Sequence, residues 1–184
     1  MNAYFITGTD TEVGKTFSTC TLLHAARSRG LAAVGYKPVA AGAELVDGVL
    51  ANGDALAIQA ASTPGFAIDA INPLCLAEAI APHIAAAHEG RAIEFPPLIE
   101  GFRRLAAQAD LTLVEGAGGF RVPLAPGHDF ADFAQALGLP VILVVGMRLG
   151  CINHALLSVE AIAARGLRLA GWIANTLAPR MNCF

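Results

Sequence analysis

Charge is scarce in this chain: only 15% of its 184 residues are Asp, Glu, Lys or Arg, against 55% that are hydrophobic. The formal net charge is −3 and no run of Lys and Arg occurs anywhere, so the electrostatic footprint of a nucleic-acid binder is missing. Cysteine is equally sparse. Cys20, Cys75, Cys151 and Cys183 lie far apart with no Cys-x-x-Cys pair. That spacing provides neither a disulfide framework nor a zinc site, and a reducing, cytoplasmic compartment is the expectation. The first residues, Met1-Asn-Ala-Tyr-Phe-Ile6, lack the basic and then apolar regions of a signal peptide. The longest apolar run of note, Leu139 to Val145, is too short to cross a bilayer, so no membrane partner is expected.

Ala and Gly are abundant instead, with 19 glycines. The composition is that of a globular chain, and the length suits one domain, 1–184, with a sizeable core. So little charge has two readings. Either the chain simply has a large Ala-rich core, or part of its surface is covered by a partner such as a second copy.

Short apolar runs at Tyr4–Thr7, Ala32–Tyr36, Leu111–Glu115, Pro140–Val145 and Leu169–Asn175 read as strands. Between them lie helical stretches: Lys15 to about Arg29, Asn52–Ala61 capped by Asn52 or Asp54, Pro97–Gln108, Asp129–Leu137 and Asn153–Arg165. Pro64 to Pro82 is broken by Asn72-Pro73 and Ala81-Pro82 and reads as irregular. Strands alternate with helices, and the strands are uniformly apolar rather than alternating. The pattern specifies an α/β fold, a P-loop NTPase-type parallel sheet with helices on both faces.

Four segments carry chemistry. Gly8-Thr-Asp-Thr-Glu-Val-Gly14-Lys15-Thr16 sits between a strand and a helix, the context of a phosphate-binding loop. Its amides and the following helix N-terminus point at phosphate oxygens, Lys15 reaches the outer phosphates, and the Thr16 hydroxyl ligates magnesium. Five residues, not the usual four, separate Gly8 from Gly14. Glu115 ends an apolar strand before Gly116-Ala-Gly118-Gly119, where a carboxylate either holds Mg2+ or is a solvated terminus. Lys37, after the second strand, either snorkels to solvent or offers a fixed cation for phosphoryl transfer. Leu149-Gly-Cys-Ile-Asn-His154 lies at a strand-to-helix junction whose amides suit an anionic group, or is an ordinary helix start capped by Asn153. His154 reads as a surface residue, and Phe130 and Phe133 as core.

Phe5 to Thr16, Gly35-Tyr-Lys-Pro-Val39, Asn52-Gly-Asp54, Val114 to Gly119 and Leu149 to His154 together resemble the dethiobiotin synthetase family, over Tyr4 to about Asn175. The resemblance implies a ligase of biotin biosynthesis that closes a ureido ring on 7,8-diaminopelargonic acid with CO2 and ATP. It implies a carbamate and then a carbamic–phosphoric mixed anhydride as intermediates, Mg2+ as cofactor and a homodimer. Lys37, Lys15 and Thr11 would be catalytic. Glu12, Val13, Gly14, Lys15, Thr16, Asp54, Glu115, Gly116, Gly118 and Asn175 would bind nucleotide and metal, with Thr16, Asp54 and Glu115 as ligands. Thr11, Lys37, Ala41 and Gly118 would meet the diamine. Leu149, Gly150, Cys151, Ile152 and Asn153 of the other subunit would receive its carboxylate. Two departures stand out: Ala41 occupies a position where the family carries Ser, and the family continues beyond Phe184. The ending Ala178–Phe184 does not read as a helix completing a core, so a shortened, non-catalytic phosphate binder is the competing reading. Related amidating ATPases need a glutaminase domain for which there is no room. Partitioning ATPases carry a second Lys inside the loop, absent between Gly8 and Gly14.

Overall fold

The computed structural model describes residues 2–46 and 48–176; the Ala178–Phe184 ending and Cys183 lie outside them. In chain order the elements are β1 (Asn2–Gly8), α1 (Lys15–Arg27), β2 (Ala33–Tyr36), β3 (Val39–Ala41), β4 (Glu44–Val46), β5 (Val49–Ala51), α2 (Gly53–Ala61), α3 (Ile68–Ile71), β6 (Leu74–Leu76), α4 (Pro82–His88), α5 (Phe95–Ala106), β7 (Leu111–Gly119), β8 (Pro123–Ala125), β9 (His128–Asp129), α6 (Phe130–Leu137), β10 (Val141–Met147), α7 (Cys151–Ala164) and β11 (Leu169–Thr176). The main sheet runs β11-β10-β1-β7-β2, and every neighbouring pair in it is parallel. Helices cover both its faces, as the alternation of apolar strands and helical segments implies.

Burial follows position in the sheet. β1, β7 and β10, which have strands on both sides, are buried through most of their length, and the edge strand β2 is buried as well because α1 and α2 pack against it. β11 departs from that expectation. Among the described residues it pairs with β10 alone, its residues alternate between half-buried and exposed, and Trp172 is 61% exposed. Phe130 and Phe133 are core, as read from the sequence, and close edge-to-face with centroids 6.3 Å apart.

Several boundaries differ for local reasons. Gly150, at φ 92°, caps α7 so that the helix starts at Cys151, ahead of the expected Asn153. Pro96 and Pro97 sit in the first turn of α5, which therefore begins at Phe95. β7 runs on past an irregular register to Gly119, so Glu115 lies inside the strand rather than at its end. The stretch 64–82 is not wholly irregular: it holds α3 and also β6, which pairs in parallel with β3. Both are too short to display a period. Among the described residues no helix is long and apolar enough to cross a membrane, and Cys20, Cys75 and Cys151 are free thiols.

One glycine sets the distance between a helix and the sheet. A β-carbon on Gly35 of β2 would lie 2.2 Å from Ile58 Cγ2 of α2, so only glycine lets α2 rest this close. Gly35→Ala therefore overpacks the core and displaces the helix that carries Asp54. A loss of about 1–3 kcal/mol is expected, seen as a lower urea midpoint at unchanged slope.

Candidate active site at the carboxyl edge of the sheet

Parallel strands put all their C-terminal turns on one edge, and the candidate residues collect there. β1 delivers the loop Gly8–Gly14. The loop ends on Gly14 at φ 88°, which caps α1 without any side-chain hydrogen bond. With no acidic residue in its first turn, α1 presents free amides and a partial positive charge to the cleft. Glu12 holds the left-handed region at φ 58°, an uncommon state for a residue other than glycine, and turns the loop outward. Beneath it Val13 is fully buried and acts as the loop's anchor in the core.

Lys15 is buried at 7% exposure, and its Nζ donates to the Asp10 carbonyl at 2.9 Å. Burial, assisted by the nearby Lys37 ammonium, lowers its pKa to about 8. Lys37 lies deeper still. Its backbone is pinned by donation of Lys37 N to Ile71 O at 2.9 Å and of Asn72 Nδ2 to Lys37 O at 2.7 Å. Its Nζ donates to Glu115 Oε1 at 2.7 Å and to Asp54 Oδ2 at 3.0 Å. Burial alone would push this ammonium down, but the two carboxylates outweigh it and hold the pKa above its usual value. Asp54 answers in kind: burial would raise its carboxyl, and Lys37 more than reverses that.

Glu115 is the centre of the cluster, with no exposed surface at all. Thr16 Oγ1 donates to its Oε1 at 2.8 Å, and Thr19 Oγ1 lies 2.5 Å from its Oε2. Thr19 was not among the candidates read from the sequence. It sits one turn after Thr16 on the same helix face, and that spacing is the signal that points to it.

Asn52 joins the two walls of the cleft. Its Oδ1 accepts from Ala55 N at 3.3 Å and so starts α2, while its Nδ2 donates to the carbonyls of Ala41 and Gly42 at 3.2 and 3.3 Å. Asp54 and Ala41 are thereby held on either side of one side chain. Opposite them Gly118, at φ 65°, approaches Thr11: a β-carbon there would lie 3.5 Å from Thr11 Oγ1 and 2.8 Å from Val122.

These residues surround a cleft of about 840 Å3. Thr11, Glu12, Gly14, Lys15 and Thr16 line it from the loop side, with Lys37, Ala41, Asp54 and Gly118 around the rest. A second stretch of wall, absent from the sequence reading, is apolar and comes from Ala79–Pro82 and Val122–Pro123. Not every candidate faces this space. Glu115 reaches it only through Thr16 and Lys37, and Gly116 is buried with its α-carbon toward the Phe5 ring. Asn175 stands behind the loop, donating to Val13 O at 2.8 Å and excluding any side chain at Gly14. The turn Leu149–Asn153 is likewise outside this cleft. Leu149 is 99% exposed there and Ile152 also faces outward, while Cys151 is buried.

A strand, a glycine-bounded loop, a buried Lys followed by a half-buried Thr, and a carboxylate on a neighbouring parallel strand define a P-loop nucleoside triphosphatase. Solved structures agree on the fold: the kinase domain of the Escherichia coli tyrosine kinase ETK superimposes with a TM-score of 0.53 at 15% identity, covering 100% of this chain and 70% of that one. The signal recognition particle receptor FtsY from Elizabethkingia anophelis gives 0.51 at 15% identity, over 94% of this chain and 49% of that one. A family model described as an AAA domain matches residues 2–182. The ATP-dependent dethiobiotin synthetase of Aromatoleum aromaticum is 61% identical over 97% of this chain and 80% of its own length. Those of Xylella fastidiosa and Pseudomonas aeruginosa are 54% and 56% identical over 98% and 97% of this chain. The chain belongs to the ATP-dependent dethiobiotin synthetase family.

The lowered Lys15 pKa has a measurable consequence. Above about pH 8 the free chain loses the Lys15 proton, and an incoming triphosphate restores it by favouring the charged form. Triphosphate binding is therefore expected to take up protons at about pH 8.5 and to weaken as pH rises further, with no uptake by this group at about pH 6.5. Calorimetry in two buffers of different ionisation enthalpy reads it directly.

Proposed function

We propose that this chain, acting over residues 1–184 as one P-loop ATPase-like unit, converts 7,8-diaminopelargonic acid, CO2 and ATP into dethiobiotin, ADP and phosphate. The observation that carries the reading is a single cleft with two chemically different sides. One side offers the phosphate loop with Lys15 and Lys37, and the other the apolar wall of Ala79–Pro82 and Val122–Pro123. A substrate with a polar diamine and an aliphatic chain suits that division, with the chain lying against the apolar wall.

Each step follows from charge. One amine of the diamine adds to CO2 and loses a proton, giving an anionic carbamate. A carbamate oxygen attacks the γ-phosphorus of ATP, ADP leaves, and a carbamic–phosphoric anhydride forms. The second amine attacks the carbamate carbonyl, phosphate departs, and the ureido ring closes. Two anions must approach in the second step, so the work is positioning and neutralisation, and Lys15 and Lys37 are placed to do both. Thr11 and Gly118 hold the diamine end. Ala41 presents a methyl group where a Ser would donate, so this chain grips its substrate there without that hydrogen bond.

The oxygen donors of Thr16, Asp54 and Glu115 fit Mg2+. Lys37 Nζ already rests between the two carboxylates at 3.0 and 2.7 Å, a place a cation favours. Bound there, Mg2+ would neutralise charge on the β- and γ-phosphate oxygens. Asn175, beside Gly14, would meet the adenine, and Glu12, Val13 and Gly116 shape the loop and strand around the phosphates.

The homodimer belongs to the same reading. Ile152, Leu156 and Leu157 on α7 are 75%, 61% and 57% exposed, an apolar face suited to a second copy. The Leu149–Asn153 turn of one subunit then offers its helix-start amides to the substrate carboxylate of the other.

Purified protein given the diamine, 13C-bicarbonate and MgATP should release phosphate only when all three are present, and the product should carry one labelled carbon. Lys37→Met should lower kcat by about a hundredfold or more. Phosphate release that ignores the diamine would sink the proposal.

A further inference from the structure

The two loops assigned to the two substrates are joined by a side-chain pair that neither assignment uses. β1 and β10 are parallel neighbours, so the phosphate loop and the turn before α7 emerge side by side. Thr9 N donates to Val144 O at 3.0 Å, which fixes the first residue of the loop to β10. Beyond that point the contact passes to side chains. Arg148, between β10 and α7, pairs through Nη2 with Asp10 Oδ2.

Asp10 is committed in three directions. Its Oδ2 takes Arg148, its Oδ1 accepts from Thr11 N at 2.8 Å, and its main-chain oxygen accepts Lys15 Nζ at 2.9 Å. Arg148 is committed in two. Its carbonyl accepts from Cys151 N at 3.0 Å and closes the turn that opens α7, while its guanidinium holds Asp10. The chain from Lys15 to the start of α7 is therefore continuous: ammonium, Asp10 carbonyl, Asp10 carboxylate, Arg148 guanidinium, Arg148 carbonyl, Cys151 amide. Among the described residues the turn's other anchor is Cys151, buried against Leu143 and Val145, because Gly150 supplies no side chain and Leu149 is fully exposed.

We propose that Arg148 is a positioning residue that locks the α7 turn to the phosphate loop of its own subunit and so fixes where that turn presents its amides to the diamine carboxylate in the other. The inference rests on the cross-subunit reading above. Arg148 touches neither substrate in this scheme; it acts by holding amides in place. The pair is half exposed on both sides, with side chains 48% and 46% accessible, so its effect is modest and salt-sensitive.

The test uses the full chain and separates Michaelis constant from turnover. Arg148→Gln should raise the KM for the diamine about fivefold at low salt, with kcat and the KM for MgATP within about twofold. Arg148→Lys should recover most of the loss, since charge is kept, and Asp10→Asn, whose amide oxygen still accepts from Thr11 N, should likewise raise the diamine KM. An unchanged diamine KM in Arg148→Gln, or no recovery in Arg148→Lys, would overturn the proposal. Mixed dimers, isolated through two different tags, then place the effect. When a Lys37→Ala, Arg148→Gln chain is paired with the unaltered chain, the one live site receives the altered turn, and the diamine KM should rise. When a Lys37→Ala chain is paired with an Arg148→Gln chain, it should stay normal. The reverse pattern would overturn the cross-subunit reading while leaving the role of Arg148 within its own subunit, whereas no rise in either pairing would overturn that role.

Discussion

A fully buried carboxylate must be paid for on the spot, and Glu115 is the group around which the edge of this sheet is organised. Removing an ionised carboxylate from water costs several kcal/mol unless charge and hydrogen bonds replace the water. Here Lys37, Thr16 and Thr19 supply them. Those partners come from the segment after β2 and from the first turns of α1, so satisfying one side chain on β7 fixes the phosphate loop's helix and the second lysine relative to the central strand. Asp54 joins through Lys37, and α2 is close enough for this only because Gly35 has no side chain.

Around that cluster the remaining parts act as pins. Asn72 holds the Lys37 backbone, Asn52 holds the cleft walls together, and Asn175 locks the loop from behind. None of the three need touch a reacting atom to matter. In the proposed reaction, rigid placement of two ammonium groups would bring an anionic oxygen to an anionic phosphate, where slack costs rate. Arg148 extends the same principle outward, from the loop to the turn that begins α7.

Much of the fold was legible because it rests on periodic or punctuated features. The uniformly apolar strands announced a parallel sheet, and the loop from Gly8 to Thr16 announced itself by glycine placement between a strand and a helix. Asn52 was one of two candidate caps for α2, and the structure selects it over Asp54, which is occupied by Lys37 instead. The hairpin β4–β5 and the pair β3–β6 were not legible, since strands of three residues carry no period and are held by long-range partners. The exposed alternation of β11 was hidden for a related reason: apolar composition does not tell a central strand from an edge one.

By itself the sequence determined the fold class, the identity of the phosphate loop and the set of charged residues available for chemistry, because each depends on residue types at short spacings. Only the tertiary structure decided how those charges meet. Glu115 reads as a strand-end carboxylate and turns out to be a sealed one within β7, Lys37 reads as a solvated or catalytic lysine and turns out to bridge two acids, and Asp10, one of the five residues between Gly8 and Gly14, turns out to face Arg148. Such pairings join residues distant in the chain, and the fold, not local preference, brings them together; for Lys37 and Glu115 burial in a low-dielectric edge also strengthens the attraction.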